Sequence, residues 1–205
     1  MTRKAKISIA VLAALALGGV VTVALLLRRG FSARDEPTAI EAVVARTMRH
    51  LSVPSQARKM RNPVPLSPSI LEAGRGHFAD HCATCHGNDG KGQTEIGKNL
   101  YPRAPDMTAA PTQSLSDGEI FRIIKNGVRL TGMPAWGQDT PEDDAASWHL
   151  VHFIRHLPRI TEEELNEMKS LNPKSPDEFR EEAEQRRFLE GGTASESRPK
   201  KTHHH

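Results

Sequence analysis

A chain of 205 residues with only six Phe, two Trp and one Tyr has room for one modest, small-cored domain plus appendages. Its net charge of +3 is unevenly spread: residues 1–66 carry 11 basic and 3 acidic side chains, residues 67–158 carry 8 and 11, and residues 159–205 carry 9 and 11. The basic excess therefore belongs to the N-terminal arm, and no basic stripe interleaved with aromatics offers itself to a nucleic acid.

Arg3, Lys4 and Lys6 precede an uncharged run from Ile7 to Leu27, which Arg28 and Arg29 close. At 1.5 Å per residue such a run spans about 30 Å, the hydrocarbon thickness of a bilayer. Residues 1–29 are therefore expected to form a transmembrane anchor. The alternative is a cleaved secretion signal, for which Ala14-Leu15-Ala16 is a weak site that would cut the apolar run short. Both flanks are basic, so charge alone leaves the orientation open.

Residues 30–66 read as a stalk. Ile40, Val43, Val44, Met48 and Leu51 recur at helical spacing after Pro37, so one short helix is expected, and Pro54, Pro63, Pro65 and Pro68 then favour extended chain. His50 and Met60 read as linker residues. The compact domain is expected over 67–158. Ser67 or Ser69 can cap a helix running to about His81, with Ile70, Leu71, Ala73, Gly74 and Phe78 on its buried side. Gly74 weakens that helix and so marks a close helix crossing.

Cys82-Ala83-Thr84-Cys85-His86 follows, and these are the only two cysteines in the chain. C-x-x-C-H is the pattern of covalent haem attachment. Two thiols three positions apart reach both vinyl groups of one porphyrin, and the His that follows is placed beneath the iron as an axial ligand. Two other readings compete: a zinc site completed by His77 and His81, which needs four closed ligands, and a redox dithiol. The second normally follows a strand, and no strand pattern precedes Cys82. Attachment of c-type haem on the outer side of a bacterial cytoplasmic membrane would put the N-terminus in the cytoplasm and the rest in the periplasm.

Residues 87–115 are expected to be irregular chain, rich in Gly and Pro. Ser116-Asp117-Gly118-Glu119 is a capping-box signature opening a helix with Ile120, Phe121, Ile123 and Ile124, and Gly127 is its C-cap. Gly132-Met133-Pro134-Ala135-Trp136 then presents a thioether that would complete six-coordination opposite His86. Met107 or a second His is the rival, and ligand chemistry alone leaves the choice open. Thr140 and Pro141 start a last core helix carrying Trp148, Val151, Ile154 and Leu157; His149, His152 and His156 on it read as rim residues. Thr161–Glu164 and Ser175–Glu178 open polar helices over 159–190 that are expected to lie outside the core. Residues 191–205, ending in His203-His204-His205, read as disordered tail.

Taken in order, the Gly74/Phe78 helix, Cys82–His86 with Gly87, the Gly132–Trp136 loop and the Trp148–Leu157 helix resemble a class I c-type cytochrome. The resemblance covers about residues 67–158. It implies an all-α fold, three core helices wrapped around one covalent haem, with the N-terminal transmembrane helix and extra C-terminal helices added here. It implies one haem c, with Cys82 and Cys85 carrying the thioethers, His86 as proximal and Met133 as distal ligand of the iron. It also implies that Gly74 and Phe78 cross the last core helix near Trp148 and Phe153, and that Arg103, Tyr101 or Trp136 holds a propionate. The expected function is outer-sphere transfer of one electron between redox protein partners in or at the membrane. No catalytic residue, small-molecule substrate or nucleic acid is called for. A subunit of a membrane dehydrogenase or reductase complex is one alternative, and a haem-based gas sensor with an open iron position is another.

Overall fold

The computed structural model describes residues 2–30, 32–174 and 176–190, and all regular structure among them is helical. The expected tail 191–205 and Ser175 of the last capping box lie outside the described residues.

Helix α1 (Arg3–Arg29) opens on the Thr2 hydroxyl, which accepts from the Ala5 N–H at 3.3 Å, and ends at Gly30. It is long and apolar enough to cross a membrane, with a mean hydropathy of 2.7, and no part of it is buried against the rest of the protein. Helix α2 (Ala39–Ser52) has the reciprocal Thr38/Glu41 capping box, and a one-turn helix α3 (Ser55–Lys59) follows. The chain expected to be a stalk is therefore partly core. Val53 and Ala57 are buried, and α3 packs on α8 (Asp117–Asn126). Asn62 Nδ2 donates to the Trp148 carbonyl at 2.8 Å, and a His152 ring nitrogen lies 2.8 Å from the Val64 carbonyl. Two isolated apolar residues and main-chain bonds from distant segments have no periodicity for a sequence to reveal.

Ser67 caps α4 (Pro68–His77), accepting from Ile70 N–H at 3.2 Å. The backbone then continues through one π-type turn, Phe78–Cys82, into α5 (Ala83–His86). The reach 87–115 holds two single-turn helices, α6 (Glu95–Lys98) and α7 (Ala110–Gln113). Helix α9 (Pro141–His156) is capped by Thr140 and crosses α4 where Gly74 sits. A Cβ on Gly74 would overlap the His149 carbonyl oxygen and lie 2.9 Å from its carbon. Phe78 meets Phe153 with ring centroids 5.1 Å apart, so the expected crossing is the one observed, while Phe121 of α8 stacks on Trp148 at 4.2 Å. Phe78, Val151, Phe153 and Leu157 are fully buried, each worth about 1.5–3 kcal/mol of transfer free energy.

Helix α10 (Glu162–Leu171) corrects the expectation that the C-terminal helices stand off the core. Met168 is fully buried in the same apolar cluster, and α10 packs on α4 and on the π-type turn. Asn172 Nδ2 donates to the Ala79 carbonyl at 2.9 Å and to Asn88 at 3.0 Å. The helix reads as polar because a single methionine and a set of hydrogen bonds hold it. Helix α11 (Pro176–Leu189) completes the described chain.

Candidate cofactor site

Cys82, Cys85 and His86 lie at the end of a helix whose other end is pinned under α9. The π-type turn adds a residue to the spiral just before them, a local widening that recurs at functional sites. Both thiols are free and half-buried. Burial, with Cys85 alongside, pushes the Cys82 thiol up to about 12. His86 is only 6% exposed. Burial pushes its imidazole down to about 4, with the Pro105 backbone acting in the other direction. Yet Nδ1 is sealed from solvent and makes no hydrogen bond of ordinary geometry. The ring is therefore neutral, a lone pair is available, and the Pro105 backbone is the kind of group that fixes the tautomer of a metal-bound imidazole. These residues fit a covalently held haem.

The loop after His86 is folded back onto the attachment turn. Gly92 N–H donates to the His86 carbonyl at 2.7 Å, and the Thr94 hydroxyl donates to the Cys85 carbonyl at 3.0 Å. Gly92 has φ 70°, and a Cβ there would sit 2.9 Å from the Ala104 carbonyl carbon, so the turn requires glycine on both counts. Met107 N–H donates to the Gly90 carbonyl at 2.8 Å, bringing Pro105 alongside.

Met133 lies on a loop folded back against the end of α8. Val128 N–H donates to the Met133 carbonyl at 3.1 Å, Trp136 N–H to the Ile124 carbonyl at 3.1 Å, and Gly137 N–H to the Lys125 carbonyl at 3.0 Å. Lys125 Nζ bridges Asp144 at 2.6 Å and Asp139 at 3.1 Å, tying α8 to the loop's far end and to α9. Leu130 and Asp139 bracket the loop in left-handed backbone, at φ 61° and 58°, a conformation that costs of order 1–3 kcal/mol for ordinary residues and collects at functional sites. The Trp136 ring meets His81 edge-on at 5.3 Å, and His81 directly precedes Cys82. The Met133 loop thus leans on the turn that carries the cysteines.

Met133 is half-buried, whereas Met107 is 8% exposed within the apolar cluster. His81 lies between His77 and Trp136, and among the described residues no group of three His, Cys, Asp or Glu gathers as a metal site. His156 is held by Glu164 at 2.9 Å, and His50 by Arg58 at 2.9 Å. Arg103 pairs with Glu36 at 3.4 Å, and the Tyr101 hydroxyl lies beside Glu41. Sequence reasoning missed Thr94 and Lys125, and weighed His81 only as a zinc ligand, not as the rest for Trp136. Only the Lys125–Asp144 pair left a trace, as opposite charges flanking the loop.

Residues 70–154 match the family described as cytochrome C oxidase, cbb3-type, subunit III. Residues 70–154 form a c-type cytochrome domain. The cytochrome domain is 40% identical over 76 residues to the cbb3-type cytochrome c oxidase subunit FixPc of Rhizobium leguminosarum bv. viciae, covering 35% of this chain and 23% of that one. It is 34% identical over 85 residues to the subunit FixP of Rhizobium meliloti (strain 1021), covering 42% and 29%. The chain thus matches about a quarter of the length of these relatives. A chain of the Kuenenia stuttgartiensis reducing HAO-like protein complex Kustc0457/Kustc0458 superposes with a TM-score of 0.40 at 20% identity, covering 48% of this chain and 49% of that chain. The matched family is one of haem c proteins, and N-terminal to the matched residues stands α1, a helix long and apolar enough to cross a membrane.

Proposed function

We infer that this protein is a one-electron carrier with a single haem c, held by Cys82 and Cys85, with His86 and Met133 as the axial ligands of the iron. The haem domain faces the periplasm and exchanges electrons with respiratory protein partners in or at the same membrane. The observation that carries this reading is His86: a buried, neutral imidazole with an orphaned Nδ1, directly behind two free thiols. When bound, haem supplies a one-electron couple. The chain's own part is to hold and exclude: the 87–107 loop locks the backbone of Cys85 and His86, and the strapped 128–137 loop sets the Met133 thioether in position. Neither loop needs to move for an electron to pass, and His/Met ligation in a buried site favours a high potential.

The test is an optical redox titration of the membrane-extracted protein and its Met133→Ala variant. Wild type should be low-spin in both oxidation states, and the variant high-spin with a lower potential. An unchanged variant would move the distal ligand to Met107 or a histidine. A high-spin wild type would move the whole reading to ligand sensing. A second reading, a cytochrome subunit of a membrane oxidase complex, is favoured by the relatives, which are named as cbb3-type oxidase subunits. It requires other subunits to co-migrate with the chain when native membranes are solubilised gently.

A further inference from the structure

Helix α2 turns its polar side toward the cytochrome domain. His50 lies 2.9 Å from Arg58 and 3.9 Å from Glu119, while Tyr101 sits beside Glu41 and Arg103 pairs with Glu36 just before the helix. Ala42 and Arg49, at the centre of that side, are half-buried. The opposite side carries Ile40, Val43, Val44, Met48 and Leu51, all of them 54–77% exposed. An apolar stripe of three turns left facing outward needs an occupant.

The adjoining chain says which. Only residues 30–38 separate α2 from α1, the helix long and apolar enough to cross the membrane. From Arg28 to Arg61 the chain carries eight Arg and Lys against three Asp and Glu, a surplus suited to anionic headgroups. A helix with one apolar face, a cationic surround and a bilayer within reach lies in the membrane interface. We propose that α2 is such an interfacial helix, lying on the bilayer surface and fastening the cytochrome domain to it by its polar side. This inference rests on α1 being retained as the anchor.

Full-length holoprotein tests it, reconstituted at high lipid dilution in phosphatidylethanolamine/phosphatidylglycerol vesicles. A nitroxide is placed in turn at Val44→Cys, Met48→Cys, Arg46→Cys and Ala13→Cys, and its collisions with oxygen and with a neutral, water-confined nickel chelate are compared. Oxygen should dominate at 44 and 48, at a depth of about 5–10 Å, and nickel at 46. Nickel dominating at 44 and 48 while Ala13→Cys reads as lipid overturns this inference alone. A water-like reading at 13 overturns the anchor and this inference with it. Exclusion of both reagents at 44 and 48, growing with the protein-to-lipid ratio, means that a second copy covers the face, and also overturns it.

Discussion

At residue 74 the absence of a side chain is what lets two helices meet. The His149 carbonyl and the Phe153 Cβ, 3.2 Å from where a Cβ would stand, belong to the backbone and stem of a helix that cannot yield. Gly74→Ala should therefore cost about 1–3 kcal/mol, lowering the melting temperature of the holoprotein by about 4–8 °C per kcal/mol for a domain of this size. Far-ultraviolet melting checks this. An unchanged melt would mean that α9 slides to admit a methyl group, and that the crossing is softer than its geometry. His86 and the cysteines differ in kind: their spacing is itself the chemistry, so they were legible before any packing was known. Met133 was legible only as one of two methionines, because the strap that positions it runs through Lys125, Leu130 and Trp136, residue types with no fixed meaning in a sequence.

Among the elements, α10 shows how a polar helix is retained. Glu164 accepts from His156 at 2.9 Å and from the Thr161 N–H at 2.9 Å, and Arg75 lies 3.6 Å away. Burial alone would raise its carboxyl, but the bonds from His156 and Thr161 outweigh it and leave the group below its ordinary value of 4.5. A carboxyl depressed by folding stabilises fully above its ordinary value, and that contribution is lost as pH falls through the lower, folded value. Hydrogen-exchange protection of α10 should therefore decline below about pH 4.5 in wild type. In Glu164→Gln it should be weaker at neutral pH and flatter with acid; parallel acid curves for the two proteins would refute the assignment. Caps on Ser67, Ser116, Thr140 and Thr161 were all readable, since each bonds within its own first turn. The docking of α3 and α10 was not. It depends on single buried residues, Ala57 and Met168, and on hydrogen bonds spanning more than eighty positions from Asn62 and Asn172. The π-type turn that ends on Cys82 likewise has no local signature.

For the molecule as a whole, these contacts bear on where the folded unit begins and ends. We propose residues 67–158 as the cytochrome domain, with the chain on both sides contributing to its stability. A haem-loaded fragment 53–174 should melt above a fragment 67–158, because only the longer one keeps Val53, Ala57, Asn62 and Met168 against the core. Deleting a buried Met alone typically costs about 2–5 kcal/mol. Equal melting temperatures in a side-by-side thermal scan would mean that the flanks are passengers.

The short connection between α1 and α2 sets a further property. Nine residues, 30–38, reach at most about 30 Å when fully extended. With α1 kept as the anchor, whatever sits in the membrane within that radius would meet the proposed carrier at an effective concentration of about millimolar, however few copies the membrane holds. Copy number then decides how many partners are served, and the tether decides how often each is visited.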